Sequence, residues 1–290
     1  MELGLELHQK LLTYQKVEIT EHHIYQRLAQ KTKSPENRRV LETIAGDELR
    51  HYEDWKKHTG QDVSPDRFTA WKYTLIGRIF GLTFGLKLME RGEEKAQSNY
   101  AELKPVIPGI EAWLRDEDEH EQALINMIDE ERLQYAGSVV LGLNDALVEL
   151  TGALAGLTLA LQNVKLIALS GLITGIAAAM SMSLSEYLST RSEKTAKQPM
   201  RSAVYTGIAY IITVALLILP YLLIANYYVD LILTLSTAVL IIAAFNYYIS
   251  VAKDESFRRR FLEMAGLSLG VAAFSFVIGY FIRQILGVNV

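Results

Sequence analysis

Residues 139–161 read VVLGLNDALVELTGALAGLTLAL, and this stretch decides the architecture. Only Asp145 and Glu149 interrupt it, and as a helix it is long enough to cross ~30 Å of hydrocarbon. Four further apolar stretches follow, at about 166–188, 203–225, 229–251 and 265–286. Five such helices in one soluble half would leave almost no polar outer face. The pattern therefore predicts an all-α chain whose second part, 136–290, is a five-span helical membrane domain.

The charges between the spans set an expected orientation. The second-to-third connection carries Arg191, Lys194, Lys197 and Arg201, and the fourth-to-fifth carries Lys253, Arg258, Arg259 and Arg260. Lys165 and Arg283 are the counterparts at the other ends. Positive loops stay in the cytosol. The N-terminal half is thus expected in the cytosol and the C-terminus across the membrane.

Within the spans, Asp145 and Glu149 stand i,i+4 on one helix face, and Glu186 closes the second span just after Met180 and Met182. A carboxylate in hydrocarbon costs several kcal/mol unless paired, hydrated or metal-bound, which points to an ion or proton path. Carboxylate oxygen with thioether sulfur suits a borderline divalent ion such as Fe2+ or Mn2+. Gly152-xxx-Gly156 and Gly171-xxx-Gly175 give two spans a small-residue ridge for close packing, within one subunit or between two.

The first half differs in kind. Residues 1–136 hold 19 Lys and Arg against 25 Asp and Glu, and all six histidines of the chain. The chain has no cysteine, which excludes disulfides, thiolate metal sites and Cys nucleophiles. No basic excess points to nucleic acid. The opening Met1-Glu2-Leu3-Gly4 lacks a positive n-region and a continuous apolar run, so no signal peptide is expected.

Four helices are predicted before the membrane. The first covers about 5–31. Ser34-Pro35 opens the second, which ends near Gly60, and Ser64-Pro65-Asp66 opens a long third reaching about 103. Pro105 and Pro108 break it, and the fourth runs from about 110 toward Tyr135 with no breaker before the first span. Glu48-Leu-Arg-His51 and Glu117-Asp-Glu-His120 are both Glu-x-x-His, which puts a carboxylate and an imidazole on one helix face. With Glu18 on the first helix and Glu90 and Glu93 on the third, the set matches a di-iron carboxylate bundle. Gly77-xxx-Gly81-xxx-Gly85 forms a ridge on the third helix, read as a close crossing either within the monomer or with a second subunit.

Taken together, residues 5–135 resemble rubrerythrin and other ferritin-like proteins, through Glu18, Leu41-Glu-Thr to His51, Glu90-Arg-Gly-Glu93 and Glu117-Asp-Glu-His120. The resemblance implies a cytosolic ferritin-like four-helix bundle over 1–135, with Glu18, Glu48, His51, Glu90, Glu93, Glu117 and His120 holding two Fe ions. The rubredoxin-type centre of rubrerythrin needs cysteines and is absent here.

The second half resembles the vacuolar iron transporter family, through Gly142-Leu-Asn-Asp145-Ala and Ser181-Met182-Ser-Leu-Ser-Glu186-Tyr187. That implies export of Fe2+, or of Mn2+, from the cytosol in exchange for protons, along a path of Asp145, Met180, Met182 and Glu186, to which the i,i+4 carboxylate pair adds Glu149 as the next candidate carrier. The fusion is similar to the membrane-bound ferritin proteins of bacteria and archaea, which implies a homodimer in the cell (inner) membrane. In that reading the cytosolic bundle collects, senses or oxidises iron. The competing reading is an enzyme, a tethered di-iron ferroxidase or peroxidase whose spans serve as an anchor.

Overall fold

The structure, a computed structural model, describes residues 2–97, 110–126, 135–193 and 197–286. Among these residues all regular structure is α-helical. The chain divides into two compact units, Met1–Glu130 and Glu131–Val290.

In the first unit α1 (Glu2–Ala29) and α2 (Pro35–Thr59) pair along their lengths, joined by a short link. Ser34 accepts a hydrogen bond from the Asn37 amide and Pro35 takes the first helical turn, so α2 starts where the sequence predicts. It ends at Gly60, whose φ of 68° is left-handed. The core between these helices is built on Ile24, Leu28, Leu41 and Ile44. A second cluster joins Leu11 and Tyr14 to Trp55, which is fully buried. Each such side chain contributes about 1.5–3 kcal/mol by leaving water.

The predicted long third helix is two helices, α3 (Arg67–Phe80) and α4 (Leu82–Gln97). Gly81 separates them with φ 106° and ψ 151°, a conformation open to glycine and strained for other residues. The chain folds back there. A Cβ on Gly85 would lie 2.7 Å from Gly77 Cα, so the glycine ridge is the contact between the two arms of a hairpin. The last helix of this unit is α5 (Ile110–Asn126). The expected run of this helix into the first span crosses residues 127–134, outside the described residues.

The second unit contains α6 (Ala136–Leu161), α7 (Val164–Ser192), α8 (Pro199–Leu223), α9 (Tyr227–Ala252) and α10 (Phe257–Leu286). All five are long and apolar enough to cross a membrane, and they coincide with the five predicted spans. Helix α6 is central and touches each of the other four. The core is built on Leu147, Leu150, Leu154, Tyr210, Leu217 and Ile242. Both small-residue ridges pack within the chain. Gly152 and Gly156 meet Val271 and Ser275 of α10, whereas Gly171 and Gly175 meet Leu154 of α6 and Val214 of α8. Buried threonines spend their hydroxyl protons on backbone carbonyls, as Thr213 does on Ala209 and Thr206 on Ser138. The outer faces carry exposed Leu169, Ile173, Leu222 and Leu240, as an element bathed in lipid tails requires. The protein is an integral membrane protein.

Candidate metal-binding sites

The first site is assembled from α1, α2 and α5. Glu18, Glu48, His51 and Glu117 each offer a ligand atom, all within 4.8 Å of one another. His51 Nδ1 lies 3.8 Å from Glu18 Oε2, 3.4 Å from Glu48 Oε2 and 3.6 Å from Glu117 Oε1. His120 Nδ1 lies 3.2 Å from Glu48 Oε1 and 3.8 Å from Glu117 Oε2. Glu18, Glu48, His51 and His120 are all buried. Glu90 and Glu93 belong to α4, but their side chains lie outside the described residues.

The other nitrogen of each imidazole is held from behind, a feature the sequence analysis did not single out. His51 Nε2 lies 3.1 Å from Asp116 Oδ2, and His120 Nε2 lies 3.1 Å from Asp47 Oδ2. Arg50 donates to both aspartates, at 2.6 Å to Asp47 and 2.8 Å to Asp116. The Trp55 indole N–H donates to Glu18 Oε1 at 3.1 Å. The signal was present in the chain: both motifs are Asp-Glu-x-x-His, one residue longer than the Glu-x-x-His first read.

These contacts set unusual protonation. Burial pushes Glu48 up, to about 8, although the facing imidazoles of His120 and His51 oppose it. Burial alone would lower both histidines. The facing carboxylates of Glu18 and Glu48 carry His51 to about 11 instead, and those of Glu117 and Glu48 carry His120 to about 10. Glu18 is held below the usual carboxylate range: burial would raise it, and the close approach of His51 and Glu48 outweighs that. Glu48 Oε2, His51 Nδ1 and His120 Nδ1 are buried without a hydrogen-bond partner. Convergent, unsatisfied oxygen and nitrogen atoms at these spacings fit a metal bound at ~2.1 Å per ligand. The residues fit the metal that the motif implies.

The second site lies inside the membrane unit. Ser138, Asp145 and Glu149 fall on one stripe of α6, at steps of about 10 Å and 6 Å along the axis. At one end Ser138 donates to Glu186 Oε1 at 2.6 Å, with Thr190 at 3.4 Å from the same oxygen. Farther along, the Tyr210 hydroxyl donates to Glu149 Oε2 at 3.1 Å and also faces Asp145. Tyr210 is fully buried on α8, whereas Asp145 is half-buried and Glu149 exposed. The two methionines separate: Met182 packs against the membrane core, and Met180 is 63% exposed on the outer face of α7. Tyr210 escaped the sequence analysis because a lone tyrosine in an apolar span carries no spacing signal.

No curated protein matches the chain. A family model, that of the VIT family, matches residues 136–198, a segment containing Asp145, Glu149, Met180, Met182 and Glu186. The match and the five membrane-length apolar helices of the same unit support a VIT-type membrane domain.

Proposed function

We propose that the chain exports Fe2+, with Mn2+ as the alternative cargo, from the cytosol in exchange for protons. The single observation that carries the reading is the Asp145–Glu149–Tyr210 cluster on apolar helices, within the segment matched by the VIT family. Membrane transport of metal ions is what that family suggests. Glu186 stands at the end of α7 nearest the basic 191–201 segment and serves as the cytosolic entry. Ionised Asp145 and Glu149 hold a divalent cation by charge. Protonation from the far side weakens that hold and releases the cation.

Glu149 bears on assembly. An exposed carboxylate on a membrane helix is costly against lipid, so a second copy covering this face fits the proposed homodimer. Exposed Met180 is open to a second copy in the same way.

In the first unit, Glu18, Glu48, His51, Glu117 and His120 would hold iron, with Glu90 and Glu93 completing a ferritin-like di-iron bundle. Bound iron would supply redox chemistry toward O2 or peroxide. The chain's own residues orient the ligands and keep water out, while the domain collects, senses or oxidises cytosolic iron. A purely tethered ferroxidase leaves Asp145 and Glu149 paying a cost with no role. The test is Fe2+ uptake into proteoliposomes: Asp145→Ala should abolish it, and wild-type flux in that variant would overturn the assignment.

A further inference from the structure

Asp230 has no part in either site. It is fully buried, and neither carboxyl oxygen has a hydrogen-bond partner. It occupies the first turns of α9, at the end of the membrane unit that carries the α8–α9 turn. Thr234 donates to Leu217 O at 2.8 Å, which fixes the register of antiparallel α8 and α9 and sets Tyr221 across from Asp230.

The hydroxyl protons around Asp230 are already committed elsewhere. Thr158 gives its proton to Leu154 O at 2.6 Å, so Tyr221, 2.7 Å from Thr158 Oγ1, must be the donor of that pair. Thr234 has spent its own proton on Leu217. Neither hydroxyl has a proton left for Asp230. The charged and titratable groups at this end are Lys165 on α7, Tyr221 on α8, Tyr227 and Tyr228 on α9, and Arg283 on α10, which acts on Tyr227. Among the described residues none brings Asp230 a compensating charge.

A buried ionised carboxylate without a donor or a counter-charge is penalised relative to the neutral acid. The N-terminus of α9 favours the anion only weakly, because the Asn226 side chain already takes the Tyr228 and Val229 amides and the Asn226 carbonyl takes the Asp230 amide.

We propose that Asp230 is a proton-binding site that takes protons from the aqueous phase at the α8–α9 end of the membrane unit. The assignment rests on the proton exchange proposed above, in which that phase is extracytosolic. Departure of a divalent cation from Asp145 and Glu149 leaves two negative charges, and two protons neutralise them. Asp230 takes those protons from water one at a time, as carboxylate to carboxylic acid, and passes each inward.

The experiment uses the full chain in proteoliposomes, with Mn2+ as the probe. Flux is measured against pH on the α8–α9 side for the wild type and for Asp230→Asn, which keeps the shape of the side chain. Infrared difference spectra are recorded on the same samples as that side is acidified. The expected result is a wild-type flux that depends on that pH, a flat profile in Asp230→Asn, and a carboxylic-acid carbonyl band present only in the wild type. An unchanged profile with an unchanged band overturns the inference. So does loss of Mn2+ binding in Asp230→Asn, which would make the site a cation site. If the wild type carries no cation, the transport reading falls, and the infrared band alone then decides the proton site.

Discussion

His51 and Asp116 stand on different helices, yet the imidazole Nε2 of one lies 3.1 Å from the carboxylate of the other. His120 and Asp47 repeat the arrangement with the helices exchanged. Each Asp-Glu-x-x-His motif therefore turns its Glu and His toward the proposed metal site and steadies the other motif's histidine with its Asp. Both rings are thereby aimed with Nδ1 toward the glutamates.

Replacing Asp116 with Asn should leave the helices intact and loosen the aim of His51. Metal affinity should fall by roughly 10–100-fold, the usual effect of losing such an orienting carboxylate. Titration of the full chain in detergent with Mn2+ checks this, and Asp47→Asn should behave alike through His120.

Protonation of this cluster makes metal binding depend on pH. His51, His120 and Glu48 are all raised above their ordinary values, to about 11, 10 and 8. The metal-free fold binds more protons than the unfolded chain, so the stability these groups contribute is lost as pH rises. For Glu48 the window opens near 4.5 and closes near 8; for the histidines it opens near 6.5 and closes near 10 to 11. Glu18, held low, acts in the opposite sense under acid conditions. A bound cation needs these groups deprotonated, so its affinity rises over the same range and its binding releases protons. The metal-free first unit should melt at lower temperature as pH goes from 6 to 9, and the gain from Mn2+ should grow. Trp55, Trp71 and Trp113 are the only tryptophans in the chain, so intrinsic fluorescence reports this unit selectively.

Tyr210→Phe removes the hydroxyl that faces both membrane carboxylates. A hydrogen bond to a charged group contributes about 1.5–3 kcal/mol, so half-saturating cation concentration in a flux assay should shift by at least ~10-fold. Thermal stability should change little, because the ring still fills its place.

Gly81→Ala forces a Cβ into a backbone with φ 106°. The hairpin of α3 and α4 should lose about 1–3 kcal/mol, read as a lower melting temperature of the first unit by tryptophan fluorescence.

The five spans were legible because length and apolarity alone decide them, and α6 to α10 lie where those runs lie. Glu48 with His51, and Glu117 with His120, were legible as pairs because i,i+3 spacing puts both members on one helix face, whereas Glu18 on α1 entered only through the bundle pattern and the resemblance. Gly81 was not: a glycine in an amphipathic run reads as a ridge or as a turn, and only its φ separates the two. Asp47 and Asp116 were hidden among many acidic neighbours, since their partners are chosen by helix packing. Asp230 was passed over at the start of the fourth span because a carboxylate near a span end ordinarily meets water. Its full burial follows from the α8–α9 register.

Transport is tested most directly by counting ions. Liposomes containing the wild-type chain, under an imposed proton gradient, should accumulate Fe2+ or Mn2+ well above empty liposomes and move protons the opposite way. Uptake no greater than in empty liposomes for both metals would contradict the transporter account and leave only a membrane-tethered metal-binding bundle.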